Sequence, residues 1–536
     1  MKRKILIPVA VVLIIAFGAL GFRYWQMSLP EETTGYTFSP ETPGGNKAKR
    51  SYSVSSSSDI ATDVGMSVLE AGGNAVDAAV AVAYTLAVVE PYGSGIGGSG
   101  GLVVYDMNNN ECVFYDYRAS AGSASYSSDS IGVPGLVAGM EACLSDYGTM
   151  TIKDLLDPAL HYAEKGFEVN AQLGLRLSSI EDKLNKFSWL HNENGEFLSE
   201  GDIMYQPELA KVIKAIQAEG AKVFYSGWIA DDIAANTSLT KEDLAGYQVY
   251  KRNALKGYFE GYTVYSANSP LSGITLIQML EMAEELDIAN PKTQPLDYLA
   301  QLKQITATAY GSRYSTIGDP SFYGINENEL ISREYIRSLL ALGYDDEDYD
   351  KDYEGMETTS FSIVDSSGLA VSATNTLTQF WGARIAVDGI YMNSTNDNFS
   401  SSGINKYEPG KRSRTFTAPT IITGDNGYVM AIGTPGGNNI PTRLFGILVD
   451  ILKFGEEPQQ AVFKPGILYQ NGVLTMGRDE ENPMWFDTSV VKENIVWKAK
   501  GIWWGTIALA GYSDEQRAFA AFDDNRGATK AGIYNP

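Results

Sequence analysis

One run of sequence constrains the fold of this chain more than any other. Residues Ala75–Val89 are almost all small or apolar. A helix of this composition is predicted to be buried on every side, because a surface helix carries a polar face. The preceding residues, 59–69, instead place apolar side chains at the spacing of an amphipathic helix that stops at Gly72-Gly73. Ala75–Val89 is therefore expected in the interior of a folded domain.

A glycine-rich segment, residues 94–101, follows this run. Five of its eight residues are glycine, which predicts tight turns and close approach of the backbone to its neighbours. The segment lacks the Gly-Lys-Ser/Thr of a phosphate loop, and it follows a predicted helix instead of a strand. A nucleotide site is therefore not expected here.

Charge and two scarce residue types exclude several classes of function. The chain has 65 acidic and 41 basic residues, a formal net charge of -24, so nucleic acid is not an expected partner. Its two histidines, His161 and His191, are too few for a histidine-based triad or a histidine-rich metal site. Cys112 and Cys143 either pair or remain buried thiols, and nothing local decides between the two. No metal and no cofactor is expected.

The N-terminus has the pattern of a membrane segment. Basic residues precede an uncharged run, residues 5–22, and Arg23 follows it. Residues 1–25 are therefore expected to be a retained anchor with a cytoplasmic N-terminus and an extracellular catalytic domain. A cleaved signal peptide, which would give a secreted protein, is the alternative. Residues 26–50, with prolines and glycines among polar residues, are expected to form a stalk.

The middle of the chain leads to an abrupt change at Thr358. Residues from about 150 to 345 are predicted to be mainly helical with short connections. The stretch 345–357 then holds eight acidic residues and no long apolar run. Such a composition is typical of a solvated segment without a core.

Beyond Thr358 the sequence predicts a β-hairpin. Residues 360–365 and 369–376 alternate as strands, and Ser-Ser-Gly between them is a turn signal. A two-fold register through Ser367 pairs position 358 with position 376, since each lies nine residues from it. Thr376 is therefore predicted to face Thr358 across the ladder, with the two hydroxyls within hydrogen-bond reach. A threonine-rich edge strand without chemistry is the alternative.

The order and spacing of the motifs resemble the γ-glutamyltransferase family of N-terminal-nucleophile hydrolases over nearly everything after residue 50. The matching stretches are residues 72–79, 89–91, 94–98, 116–118, 132–135, 162–167, 358–362 and 433–437. The run 407–416, supported by 372–377, is most similar to the capsule poly-γ-glutamate transpeptidases or depolymerases. The resemblance implies an α+β fold, a four-layer αββα sandwich built from a large fragment, residues 51–357, and a small fragment, residues 358–536.

The resemblance also implies a mechanism. The precursor breaks its own Glu357–Thr358 bond, and Thr358 gains an α-amine with a pKa of roughly 7.7–8.0 that can take up the hydroxyl proton. Thr376 holds this hydroxyl in its attacking orientation. The backbone N–H groups of Gly436 and Gly437 donate to the oxyanion, although an ordinary turn is the alternative for these glycines. The resulting γ-glutamyl ester passes to water or to an acceptor amine.

The resemblance further implies how substrate is held. Arg118 matches the arginine that grips the glutamyl α-carboxylate, a group that a guanidinium pairs in bidentate fashion. Relatives that act on glutathione hold its α-ammonium with acidic or amide groups, where this chain has Thr395 and Asn398. Thr415 and Phe416 stand in place of paired serines. A site without that carboxylate suits an interior residue of a γ-linked polymer, whose nitrogen is already an amide.

Four cations are further candidates for neutralising the carboxylates of such a polymer: Lys411, Arg412, Arg414 and Arg526. A solvated loop with structural salt bridges is the alternative for the basic run 411–414. The chain also departs from the family pattern at Ser360, where histidine is common, and at Thr378, where asparagine is frequent. Neither departure removes the nucleophile or the oxyanion donors.

The sequence thus predicts a self-cleaving γ-glutamyl transferase or hydrolase that acts on poly-γ-glutamate at the cell surface. Its partners are the substrate, an acceptor amine or water, and the two fragments of the chain in a heterodimer. One alternative is a γ-glutamyltranspeptidase that consumes glutathione and γ-glutamyl peptides. Another is an uncleaved, inactive binding protein at the surface.

Overall fold

The computed structural model describes most of the chain after residue 50. The described residues are 36–41, 51–124, 129–178, 186–344, 357–470, 473–478, 491, 495–499, 505–523 and 529–536. The expectations for the segment 1–25, for most of the stalk 26–50, for the acidic stretch up to residue 356 and for Arg526 fall outside these residues.

The expected membrane anchor is corrected by the structure. Within the described ranges, no helix is both long enough and apolar enough to cross a membrane. The predicted single-pass protein with an extracellular catalytic domain therefore has no support in the described residues, and its expected anchor, residues 1–25, lies outside them. The basic and apolar pattern of residues 1–25 was the whole basis of the prediction.

Two antiparallel sheets form the centre of the protein. The first has the strand order β20-β1-β9-β10-β2-β3-β6, and the second has the order β19-β18-β14-β13-β8-β7. The strands of the first sheet are β1 (Tyr52–Ser56), β2 (Ser99–Asp106), β3 (Glu111–Tyr117), β6 (Tyr250–Asn253), β9 (Glu357–Val364), β10 (Leu369–Thr378) and β20 (Lys530–Tyr534). The strands of the second are β7 (Leu255–Phe259), β8 (Tyr262–Ser266), β13 (Thr420–Thr423), β14 (Val429–Gly433), β18 (Ala508–Ser513) and β19 (Arg517–Phe522).

Smaller strands lie outside these sheets, in three groups: β4 (Phe167–Glu168) with β5 (Ile203–Met204), β11 (Ala386–Val387) with β12 (Ile390–Tyr391), and β15 (Ile467–Gln470) with β16 (Val473–Arg478) and β17 (Ile495–Ala499). The helices are α1 (Asp59–Glu70), α2 (Ala75–Val89), α3 (Leu136–Tyr147), α4 (Ile152–Lys165), α5 (Ala171–Ser178), α6 (Pro207–Glu219), α7 (Ala221–Ser226), α8 (Trp228–Asn236), α9 (Lys241–Ala245), α10 (Gly273–Glu285), α11 (Pro295–Thr316), α12 (Glu327–Leu330), α13 (Arg333–Leu342), α14 (Ile440–Leu452) and α15 (Pro458–Phe463).

The two sheets pack face to face between two layers of helices. The helices α1 and α2 cover the first sheet, while α10 packs on the second sheet with α14 beside it. All fifteen residues of α2 are buried, as the composition predicts. The α+β fold and its four layers are therefore confirmed.

Small polar side chains connect the two sheets across the middle of the sandwich. The Ser372 hydroxyl donates to the carbonyl of Ile432 at 2.8 Å, and the Ser362 hydroxyl donates to the carbonyl of Ala508 at 2.9 Å. Both serines are completely buried. A buried hydroxyl must find a partner, and these bonds hold β9 and β10 close to β14 and β18.

The hairpin predicted after Thr358 is present. Its strands are β9 and β10, and their pairing runs from Ala370 opposite Val364 to Asn375 opposite Thr359. This is the predicted two-fold register through Ser367. The turn is held by a buried carboxylate, Asp365, which accepts hydrogen bonds from the backbone and hydroxyl of Ser367.

The middle of the chain is less helical than the sequence suggests. Residues 150–345 contain many helices, but Tyr250–Asn253, Leu255–Phe259 and Tyr262–Ser266 are strands. Two of these strands complete the edge of the second sheet next to Thr420–Thr423. β8 pairs with Thr420–Thr423, more than 150 residues later, whereas β7 pairs with β8 in a local hairpin. Local periodicity therefore does not reveal how this hairpin joins the sheet.

Candidate active site

Thr358 lies one residue inside the start of β9 and is 1% exposed. The ladder opposite it is irregular. Asn375 pairs with Thr359, but the next recorded pair is Thr378 with Glu357, so the register shifts by one residue between Asn375 and Thr378. The end of β10, which carries Thr376, therefore bends at the level of Thr358.

The bend is stabilised by the Thr376 side chain. The amide of Thr378 donates a hydrogen bond to the Thr376 hydroxyl oxygen at 2.8 Å. Thr378 itself has φ 81°, a left-handed conformation that is an outlier for a β-branched residue. Thr376 is thus fixed in place by the backbone that follows it.

The predicted glycine-rich loop borders Thr358 on another side. The Gly93 carbonyl accepts a hydrogen bond from the Leu377 amide at 3.1 Å. A Cβ added to Gly93 would lie 3.2 Å from the Thr359 side chain and 3.6 Å from the Thr358 carbonyl oxygen. At Gly97, an added Cβ would lie 2.4 Å from the Tyr391 carbonyl oxygen. The backbone immediately before the loop thus lies close to the Thr358 strand at Gly93, and the loop itself lies against β12 at Gly97.

A second segment reaches the end of β10 from the other side of this loop. The Ser394 amide donates to the Leu377 carbonyl at 3.0 Å. The Thr395 hydroxyl shares a hydrogen bond of 3.0 Å with the Thr378 hydroxyl. Both threonines are buried. Thr395, proposed from the sequence to contact substrate, therefore contacts the strand that faces Thr358.

Arg118 is connected to this segment through Ser413. Its guanidinium donates to the Ser413 hydroxyl at 3.2 Å and to the Ser413 carbonyl at 3.4 Å. The Ser413 hydroxyl donates in turn to the Thr395 carbonyl at 3.2 Å. Arg118 is 0% exposed, so it is not the surface residue that an isolated arginine usually is.

Arg118 follows a strand that is bonded to β10. The Tyr117 hydroxyl donates to the Asn375 side-chain oxygen at 2.6 Å, with both groups buried. The Arg118 amide donates to Asp116 at 2.9 Å. These bonds place the guanidinium and Thr376 at the same end of the sheet.

The basic run contacts protein groups. Arg412 forms a buried ion pair with Asp116, with 2.9 Å between the nitrogen and the oxygen, and it donates to the Gln248 carbonyl. Lys411 is completely buried and lies 3.0 Å from a carboxylate oxygen of Glu408. These contacts favour the alternative in which the run supports the loop structurally.

Arg414 lies at the C-terminal end of α11. One of its guanidinium nitrogens donates to the carbonyls of Arg313, Tyr314 and Ile317 at 3.2, 3.0 and 3.2 Å. The last carbonyls of a helix have no partners within the helix, so a cation there satisfies them. This contact also favours a structural role.

The remaining predicted binding residues, Thr415 and Asn398, also form hydrogen bonds within the protein. The Thr415 carbonyl accepts hydrogen bonds from Ser272 and Arg313 at 2.7 Å each. The Phe416 ring lies 3.7 Å below the Arg313 guanidinium. Asn398 is half-buried, and its backbone carbonyl accepts a hydrogen bond from the side-chain nitrogen of Asn405 at 2.8 Å.

The predicted oxyanion loop follows β14. A Cβ added to Gly433, the last residue of that strand, would lie 2.2 Å from the Ser360 hydroxyl oxygen. The strand before the loop is therefore in close contact with β9, two residues from Thr358. Gly436 and Gly437 have φ of 140° and 55°, conformations that glycine adopts at little cost. They lead into the N-terminus of α14, where backbone N–H groups favour negative charge.

The structure identifies positioning groups that residue type alone does not. Ser413 and Gly433 fall within the matching stretches 407–416 and 433–437, and Asn393 lies two residues before Thr395, but sequence alone gave none of the three a role. Their burial and their bonds to site residues emerge only once distant segments are brought together. For Ser413 and Gly433, position within a shared motif was the one available signal.

Neither cysteine has the environment of a nucleophile. Cys112 and Cys143 are both buried and unpaired with each other, and burial raises the pKa of each thiol. A raised pKa leaves little thiolate, which is the reactive form. Across the described ranges, no group of three or more His, Cys, Asp or Glu could hold a metal ion.

Sequence comparison decides the family. The family model for gamma-glutamyltranspeptidase matches residues 61–493. The chain belongs to this family. It is 41% identical over 403 residues to the capsule biosynthesis protein CapD proenzyme of Bacillus anthracis, with 75% of each chain covered. It is 30% identical over 484 residues to a glutathione hydrolase proenzyme of Bacillus subtilis, covering 80% of this chain and 82% of that one.

Solved structures agree with the fold. A cephalosporin acylase from Bacillus halodurans superposes with a TM-score of 0.80 over 93% of this chain and 99% of its own, at 21% identity, which supports the fold alone. The gamma-glutamyltranspeptidase of Helicobacter pylori is 32% identical with a TM-score of 0.50, over 57% of this chain and 93% of that one. As a gamma-glutamyltranspeptidase family member, the chain is an enzyme with gamma-glutamyl transpeptidase or hydrolase activity.

Proposed function

We propose that this enzyme cleaves its own Glu357–Thr358 bond and then uses Thr358 to attack γ-glutamyl amides. The observation that carries the proposal is the position of Thr358. It is the second residue of a central strand, on the side of β10 that carries Thr376, and Gly93 and Gly433 lie against this end of the strand. Two relatives are named as proenzymes, which supports the proposal that this chain is also processed from a precursor.

The proposed reaction requires no other base. Once Thr358 is an N-terminus, its α-amine takes the hydroxyl proton as the oxygen attacks the γ-carbonyl carbon. Gly436 and Gly437 would donate their backbone N–H groups to the oxyanion, and Thr376 would orient the nucleophile. The amine product leaves with the proton, and a γ-glutamyl ester remains on Thr358 until water or an acceptor amine takes the acyl group.

Arg118 is the group that we propose for the substrate α-carboxylate. A buried guanidinium favours a carboxylate strongly, because few other charges and little water compete for it. Its link through Ser413 to Thr395 directs it towards the Thr358 end of the sheet. We assign Arg412 and Arg414 to support of the surrounding loop, since their contacts are an ion pair with Asp116 and helix-end carbonyls.

We further propose that the substrate is a γ-linked glutamate polymer. A carboxylate is the strongest partner for an α-ammonium, and the segment 395–398 offers Asp397 as its one acidic residue. Asp397 already accepts hydrogen bonds from Ser130 and from Gln379, the latter at 3.0 Å. The similarity to a capsule biosynthesis protein supports the same substrate class.

Glutathione and short γ-glutamyl peptides are the second candidate substrates. The observation in their favour is the similarity to glutathione hydrolase proenzymes, including one of Escherichia coli that is 31% identical over 474 residues. Turnover of poly-γ-glutamate and of glutathione by the same purified enzyme separates the two. A much higher kcat/KM for glutathione would overturn the polymer proposal.

The nucleophile is tested separately from the substrate. Thr358→Ala should remain one full-length chain on denaturing electrophoresis and should be inactive on both substrates. Thr306→Ala is a matched control, because it removes a buried threonine hydroxyl that bonds within α11 to the Leu302 carbonyl and should leave cleavage intact. Cleavage of Thr358→Ala at the same bond would contradict the assignment.

A further inference from the structure

Asn393 occupies a central position beside the active site. Its side-chain nitrogen donates to the carbonyls of Gly97 and Gly132 at 2.9 and 2.8 Å. Its side-chain oxygen accepts from the amides of Gly132 and Thr395 at 3.1 and 3.0 Å. An asparagine amide has two donors and an acceptor with two lone pairs, so these four bonds use its whole capacity. Asn393 is 0% exposed.

These bonds join three segments that are distant in sequence. Gly97 belongs to the loop beside Thr358, Gly132 lies before α3, and Thr395 lies after β12. The backbone amide of Asn393 adds a bond to the Gly97 carbonyl at 3.1 Å. Asn393 therefore fixes the backbone of Thr395 relative to the glycine loop.

Thr395 passes this constraint to β10. Its hydroxyl bonds the Thr378 hydroxyl at 3.0 Å, and the Thr378 amide bonds the Thr376 hydroxyl oxygen at 2.8 Å. Thr378 has φ 81°, a strained conformation for a residue with a Cβ, which persists only when neighbours hold it. The Thr395 hydroxyl is one such neighbour, since it holds the side chain of the strained residue.

The direction of the last bond has a chemical consequence. A threonine hydroxyl has one hydrogen and two lone pairs. When the Thr378 amide occupies one lone pair of Thr376, the directions open to the Thr376 hydrogen are restricted. A fixed hydroxyl opposite Thr358 orients the nucleophile better than a rotating one.

We propose that Asn393 and Thr395 are positioning residues that keep Thr378 in its left-handed conformation and thereby orient Thr376 towards Thr358. This proposal rests on the proposed role of Thr358 as nucleophile. It assigns Thr395 a role within the protein instead of a contact with substrate. Loss of the Thr395 hydroxyl should therefore lower the rate of the chemical step and leave the binding of the glutamyl group unchanged.

The test compares Thr395→Val with Thr395→Ser. Valine keeps the shape of threonine and loses the hydroxyl, whereas serine keeps the hydroxyl. With L-γ-glutamyl-p-nitroanilide as the probe, Thr395→Val should lower kcat by about two- to tenfold, the worth of one neutral hydrogen bond. Its KM should stay within about twofold, because no contact with bound substrate is lost. Thr395→Ser should recover most of kcat.

A double-mutant cycle locates the effect in one bond. Thr378→Val removes the other half of the hydroxyl pair and should lower kcat by a similar factor. The double variant should be no slower than the slower single variant, because the same bond is already lost. Thr306→Val is the matched control, since its buried hydroxyl bonds only within α11 to the Leu302 carbonyl, and its kinetics should match those of the unmodified enzyme.

Several results would overturn the proposal. A raised KM with unchanged kcat in Thr395→Val would make Thr395 a substrate contact. An additive double variant, a Thr395→Ser enzyme as slow as Thr395→Val, or unchanged kinetics in Thr395→Val would each show that the hydroxyl pair does not act on Thr376. Failure of the nucleophile assignment is recognised separately, because Thr358→Ala would then remain cleaved or active.

Discussion

The contact between Gly433 and Ser360 provides a sharp test of how the two sheets position the site. Substitution of Gly433 by alanine would place a Cβ 2.2 Å from the Ser360 hydroxyl oxygen. An ordinary contact begins at 3.4 Å, so the two strands must separate by about 1 Å or Ser360 must rotate, because a packed interior has little free space. Rotation would break the bond of 3.0 Å that Ser360 donates to the Ala373 carbonyl.

Either response has a calculable consequence. Overpacking of this kind typically destabilises a protein by about 1–3 kcal/mol. Separation of β14 from β9 would also move Gly436 away from Thr358, and a displacement of about 1 Å at a reacting site can lower the rate by about a hundredfold. Gly433→Ala should therefore melt at a lower temperature and show a greatly reduced kcat.

A second substitution should rescue the first. In Gly433→Ala/Ser360→Ala the clashing oxygen is gone, and the nearest remaining atom is the Ser372 hydroxyl oxygen at 3.4 Å. Melting temperature and kcat on L-γ-glutamyl-p-nitroanilide should both rise towards the values of Ser360→Ala alone. Gly446→Ala is the control, because a Cβ there would meet nothing within 4 Å. A Gly433→Ala enzyme with normal kcat and stability, or no rescue by Ser360→Ala, would refute the reasoning.

Three further predictions follow from single groups. Arg118→Lys keeps the charge but loses the bidentate geometry, so steady-state kinetics should show a KM for γ-glutamyl substrates raised by about tenfold or more. Tyr117→Phe leaves the buried Asn375 oxygen without its 2.6 Å donor and should cost about 1–3 kcal/mol in thermal unfolding. Burial raises the pKa of Glu281 to about 7, above the ordinary value of about 4.3. The folded state therefore binds the proton of the Glu281 carboxyl more tightly than the unfolded state does. The stability that this proton contributes is lost as the pH rises through about 7. Glu281→Gln should raise the melting temperature at pH 8 and leave it unchanged near pH 4.

Local patterns predicted the elements that depend on near neighbours. The buried helix Ala75–Val89 follows from composition alone, and the hairpin at Ser367 follows from alternation and a turn signal. The irregular end of that hairpin could not be predicted. A left-handed Thr378 contradicts the preferences of a β-branched residue, and only the tertiary contacts of Thr395 and Leu377 make it stable.

The partners of the cations were also beyond the reach of local sequence. Arg412 is separated from Asp116 by almost 300 residues, and Arg414 contacts carbonyls about 100 residues earlier. A basic run beside a predicted site suggests an anionic ligand, but the fold supplies acidic and carbonyl partners first. The prediction of a mainly helical region from about 150 to 345 missed the strands within residues 250–266, because β6 and β8 pair with strands far along the chain.

The central claim is that Thr358 becomes an N-terminus, and the most direct measurement is the intact mass of both fragments of the purified enzyme. We predict two species, one ending at Glu357 and one of 179 residues beginning at Thr358. A second fragment that begins at any other residue, or a fully active enzyme that remains a single chain, would contradict the account.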